Sequence, residues 1–134
     1  MTSKDAFDIV RKLASTCDAI VVSGFIRVAA YKGSIDLSQW QLELLRDLSK
    51  LDKPFVFALF GSPYLLSFVP ELPAYALAFE DYPEAERAMV RAVFGEIPFT
   101  GHLPISLPVS AEGEPKAYPI GHGLTTPPPG GSPP

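Results

Sequence analysis

A chain of 134 residues accommodates one domain. Its 47% hydrophobic and 19% charged residues can bury a core, and a net charge of −4 without a basic run argues against a nucleic-acid ligand, which needs a cationic face. The single cysteine, Cys17, excludes an internal disulfide and any multi-cysteine metal site.

No stretch reaches the roughly 18 apolar residues of a membrane span. The first eight residues carry Asp5 and Asp8 and no apolar run, so they do not read as a signal peptide. The compartment stays open: a longer parent chain could be cytoplasmic, periplasmic or secreted.

A first helix is expected from Lys4 to Ser15, with Ser3 as its cap and Ala6, Phe7, Val10, Leu13 and Ala14 on one face. The run from Asp18 to Gly24 has no alternation, which suits a strand buried on both faces of a parallel sheet. Cys17, just before it, is expected to be buried. Phe25 to Asp36 reads as a loop.

Ser38-Gln39-Trp40-Gln41 fits a capping box opening a second helix, whose apolar stripe is Trp40, Leu44, Leu45, Leu48 and Leu51. Pro54 stops it and begins a continuous apolar strand to Phe60. Gly61-Ser62-Pro63 reads as a turn into a short helix capped by Ser62. Ala74 to Phe79 is a third strand. A helix capped by Asp81 follows, with acids in its first turn, Arg87 and Arg91 further on, and Gly95 as terminator.

Leu103 to Val109 is expected as a fourth strand, held at a sheet edge because Pro104 and Pro108 cannot donate. Residues 111–116 form a polar loop. The Pro/Gly-rich segment 125–134 reads as a disordered tail, leaving residues 1–124 as the folded domain. This alternation of helices and strands implies an α/β fold, a three-layer α/β/α sandwich around a small, mostly parallel sheet. The expected core is Ile20, Val21, Val22, Leu44, Leu48, Phe55, Val56, Phe57, Ala58, Leu59, Ala76, Leu77, Val90 and Val93.

Candidate chemistry is sparse. Neither the dinucleotide fingerprint, nor the phosphate loop, nor the nucleophile elbow is present. Ser62 lies at a strand-to-helix turn where a nucleophile could sit, but Pro63 beside it favours a cap. His102 and His122 each sit in a glycine-flanked loop, as packing or surface residues rather than metal ligands. Glu80 and Asp81 lie at the carboxyl end of a strand, where open α/β sheets bind ligands, though a solvated neighbour and a cap account for them. No catalytic, cofactor-binding or metal-binding residue is assigned, and no cofactor is expected.

The order of short motifs resembles the C-terminal domain of family 3 glycoside hydrolases, in particular the β-N-acetylglucosaminidase (β-N-acetylhexosaminidase) branch. The elements are the strand Ala19 to Val22, Gln41, Lys53-Pro54-Phe55-Val56, Ser62-Pro63-Tyr64, Tyr75, the Ala-rich helix from Ala85 to Ala92, Phe94-Gly95, Gly101-His102-Leu103-Pro104-Ile105, and Gly121-His122-Gly123-Leu124. None is specific alone; their order carries the resemblance, over Asp18 to Leu124. The chain resembles the distal part of that domain, without its earlier strands.

The resemblance implies a non-catalytic domain that supports a catalytic barrel acting on N-acetylglucosamine-containing glycans. In that family the nucleophilic Asp, and in this branch the His-Asp acid/base pair, belong to the barrel. In the glucosidase branch an acid/base Glu comes from the loop after the first matching strand; here that loop, Phe25 to Ser34, has no carboxylate. A retaining glycosidase needs two flanking groups, so the chain alone is expected to be inactive.

The alternative is a stand-alone oligomerisation or interaction module. A third reading, a small flavodoxin-like enzyme, suffers from the missing phosphate loop. The expected partners are a family 3 barrel domain and a second copy of this chain, paired through the sheet edge that the prolines do not guard.

Overall fold

The most continuous apolar run in the chain forms the centre of the molecule. The computed structural model describes residues 3–27, 37–108 and 116–130. Strand β2 (Phe55–Gly61) lies between β1 (Ile20–Ile26) and β3 (Tyr75–Ala78), both parallel to it, in an open three-stranded sheet. The register places Ile20 opposite Phe55 and Phe60 opposite Ala78. The protein therefore has a mixed α/β fold.

Alternation along β2 divides the core in two. Phe55, Phe57 and Leu59 join Ala14 of helix α1 (Ser3–Ala14) and Leu42, Leu45 and Leu48 of helix α2 (Gln39–Ser49). Leu65 of a 3₁₀ turn (Pro63–Ser67), Val69 and Leu72 complete that cluster. Ala58 and Phe60 instead meet Ala76 and Met89, the latter from helix α3 (Pro83–Val93). Among the described residues the strands advance β1, β2, β3 without reversal, with no topological switch point of the kind that opens a ligand crevice in doubly wound folds.

Local signals explain most element boundaries. Both halves of the capping box form: the Gln41 amide donates to the Ser38 hydroxyl at 3.3 Å, and the Ser38 amide donates to Gln41 Oε1 at 2.8 Å. Gly95 follows α3 with φ +76°, as expected of a helix terminator. Helix α1 starts at Ser3 and ends at Ala14, one residue earlier at each end than the sequence suggests. Arg11 joins α1 to α2 through Asp47 at 2.8 Å, and Arg46 joins α2 to Glu71 at 2.8 Å.

Two expected caps differ. Helix α3 is capped at Tyr82 rather than Asp81, without a side-chain bond; Pro83 takes the first helical position and has no N–H to satisfy. Ser62 stands at the cap position of the 3₁₀ turn, but its hydroxyl makes no capping bond. Its main-chain amide donates instead to the Ile26 carbonyl at 2.9 Å, tying β2 to β1.

The largest departures concern the sheet. Strand β1 is not buried on both faces: Val21, Ser23 and Phe25 are exposed, because α3 covers β2 and β3 but not β1. Phe25 and Ile26, expected in a loop, extend this strand; residues 28–36 of that loop lie outside the described residues.

The expected fourth strand does not join the sheet. Of its described residues only Leu107–Pro108 (β4) are extended, and they pair antiparallel with Lys116–Tyr118 (β5) in a separate ribbon, while Val109 lies outside the described residues. The prolines therefore guard neither edge of the parallel sheet. Of the expected core, Val21 and Val90 are exposed, while Val22, Leu44, Val56, Leu77 and Val93 are partly buried. Cys17 is exposed: it follows the end of α1 and precedes β1, outside both clusters.

Candidate functional site

Beyond α3 the chain forms a strap from two segments that close on each other. The Leu103 amide donates to the His122 carbonyl at 2.8 Å, and the Gly121 amide donates to the Leu103 carbonyl at 2.8 Å. Further along, the Phe99 amide donates to Thr126 Oγ1 at 2.8 Å, and the Thr126 amide returns a bond to the Phe99 carbonyl at 3.2 Å. Thr126 lies within the segment read as a tail; residues 125–130 have no helix or strand but are tied down at this point.

Close approach at Gly123 explains the glycine pattern. A β-carbon there would lie 2.2 Å from the Gly101 carbonyl oxygen and 3.0 Å from His102 Nδ1. The glycine thus lets two backbones touch where any side chain would part them. Two glycine-flanked histidines, His102 and His122, thereby meet in one structure, with His102 Nδ1 against the Gly121 carbonyl.

The strap faces β3 across a cleft of about 450 Å³, within the size range of ligand pockets. Tyr75, Leu77, Leu66 and Leu72 line it on one side of β3, and Val56, Ala76 and Phe99 on the other. His102, Leu103, Leu107, Tyr118 and His122 form the opposite wall. The cleft therefore wraps the outer edge of β3.

His102 Nδ1 lies 3.1 Å from the Gly121 carbonyl. A carbonyl only accepts, so Nδ1 is the donor in this contact, which fixes the orientation of the ring. His122 is partly buried, and its ring stacks obliquely on Tyr118 with centroids 4.8 Å apart. The Tyr75 hydroxyl donates weakly to the Pro63 carbonyl at 3.4 Å, and burial pushes its phenol above the ordinary tyrosine range.

The other sequence candidates stand apart. Glu80 and Asp81 are exposed just beyond β3, with Phe79 rather than either carboxylate reaching the cleft wall. Ser62 is buried at the end of β2. Among the described residues no carboxylate lines the cleft, and no three His, Cys, Asp or Glu side chains cluster as metal ligands. No helix in the described residues is long and apolar enough to cross a membrane. The sequence treated His102 and His122 as separate loop residues; the matching glycine flanks were the available sign that they belong together.

The arrangement is a largely apolar slot with the β3 main chain along one wall and an imidazole near its rim. No protein-family model, curated protein or solved structure matches this chain.

Proposed function

We propose that this chain is a non-catalytic α/β domain that works docked to a partner domain, like the C-terminal domain of a family 3 glycoside hydrolase of the β-N-acetylhexosaminidase branch. In this reading the barrel performs the chemistry on N-acetylglucosamine-containing glycans and this chain supports it. The observation that carries the docking is the open face of β1. Val21 is 53% and Phe25 55% exposed, on a strand that among the described residues has a neighbour on one side only. Apolar residues on an uncovered sheet face mark surfaces that another element covers.

The finer fold reading belongs to the same proposal. Helices α1 and α2 supply one outer layer and α3 part of the other, in a three-layer sandwich whose sheet and second helix layer continue past β1 in the partner. Mixing the purified chain with a family 3 barrel domain tests this. The reading expects hydrolysis of a chromogenic N-acetylglucosaminide by the pair and none by this chain alone. Turnover by the chain alone, lost on mutating one of its own acids, overturns it.

A second reading, self-association through a sheet edge, draws support from the outer sides of β1 and β3, which are unpaired among the described residues. Sedimentation across a hundredfold concentration range distinguishes it by a concentration-dependent dimer.

A further inference from the structure

We propose that the cleft beside β3 is a strand-addition site, which binds an extended apolar peptide segment through the main chain of Tyr75 and Leu77. The inference rests on the β2–β3 register and does not depend on the β1 face or on any glycoside hydrolase partner.

In a parallel ladder one strand turns the main-chain groups of every second residue toward a given neighbour. The Phe57 amide donates to the Ala74 carbonyl at 3.0 Å, and Phe57 pairs with Tyr75 and Leu59 with Leu77. Ala74, Ala76 and Ala78 therefore serve β2. The N–H and C=O groups of Tyr75 and Leu77 point the opposite way, and among the described residues none takes a main-chain partner there. Four aligned donors and acceptors thus border the cleft.

The occupant follows from this chemistry. A small apolar ligand would fill the volume but leave those four groups unmatched, whereas an extended main chain matches them at the spacing of its own amides. Side chains alternating from such a strand would enter both halves of the cleft, toward Leu66 and Leu72 on one side and Val56 and Phe99 on the other. Both halves are apolar, so the preferred segment carries apolar or β-branched residues at successive positions and no proline where an amide must face β3. The strap through Leu103 and Leu107 closes the far wall, which favours a single inserted strand over edge-to-edge pairing of two whole sheets.

The test uses the full chain and the soluble peptide acetyl-Lys-Val-Thr-Val-Thr-Val-Lys-amide. A second peptide of the same sequence is N-methylated at alternate residues, in both possible phases. Fluorescence titration is expected to show saturable binding of the plain peptide. In the phase that blocks β3-facing amides, affinity should fall about tenfold or more, the loss expected from removing two hydrogen bonds. Hydrogen exchange should show the Tyr75 and Leu77 amides slowed by the plain peptide. A Leu77→Pro variant removes an outward donor together with some core packing, so it should melt at a lower temperature and, where it still melts cooperatively, lose binding of the plain peptide.

Equal binding of plain and both methylated peptides would mean simple apolar filling and overturns the proposal. So does the absence of binding at millimolar peptide. Strong protection of the Tyr75 and Leu77 amides in the free protein would also overturn it, because the chain would then already occupy its own edge.

Discussion

Phe25 stacks on Phe60 with ring centroids 4.8 Å apart and planes within 10° of parallel. The two residues are register partners on β1 and β2, yet Phe60 is 4% exposed and Phe25 55%. One ring belongs to the core and the other roofs it on the side that α3 does not reach. Phe25→Ala should therefore cost only about 1 kcal/mol in denaturant unfolding, the worth of one aromatic cross-strand pair. If β1 docks a partner, the same variant should weaken that association far more than it weakens the fold.

The residues that hold the fold are those of β2. Leu59 is 0% exposed, and Leu59→Ala should lose about 3 kcal/mol through lost transfer energy and the cavity left behind. Val21→Thr, at a position expected to be core but found exposed, should change stability by no more than about 0.5 kcal/mol. Urea unfolding of both variants checks the contrast; similar losses would mean that Val21 is covered.

Gly61 closes β2 with φ +100°, and a β-carbon there would sit 2.1 Å from the Ile26 carbonyl oxygen. That oxygen accepts from the Ser62 amide, so a side chain would both strain the backbone and push β1 from β2. Gly61→Ala should cost about 2 kcal/mol or more. Gly95→Ala, at φ +76° in open space, should cost about 1 kcal/mol, from backbone strain alone. Calorimetric melting of the two variants should rank them in that order.

Tyr75 supplies a pH dependence. Burial raises its phenol above the ordinary value, so the folded protein holds this proton longer than the unfolded chain does. The stabilisation is fully present below about pH 10, where both states are protonated. It is lost as pH rises further, because the unfolded chain ionises first. Tyr75→Phe should lower stability little at pH 8, given the long 3.4 Å bond to Pro63, and should flatten the decline measured between pH 9 and 11. An unchanged decline would place the titration on other groups.

Sequence by itself determined the elements whose causes are local. The Ser38–Gln41 capping box, the apolar run of β2, Pro83 at the start of α3 and Gly95 after its end each act within a few residues, and each lies where its chemistry requires. Tertiary structure decided what depends on distant partners. Whether Val21 is core depends on where α3 lies, and α3 covers β2 and β3 instead. Whether Leu107–Pro108 joins the parallel sheet depends on its competing partner at Lys116–Tyr118, which leaves the β3 edge unpaired among the described residues. That His102 and His122 share one cleft rests on the approach of Gly101 to Gly123, a contact between segments that periodicity and propensity do not relate.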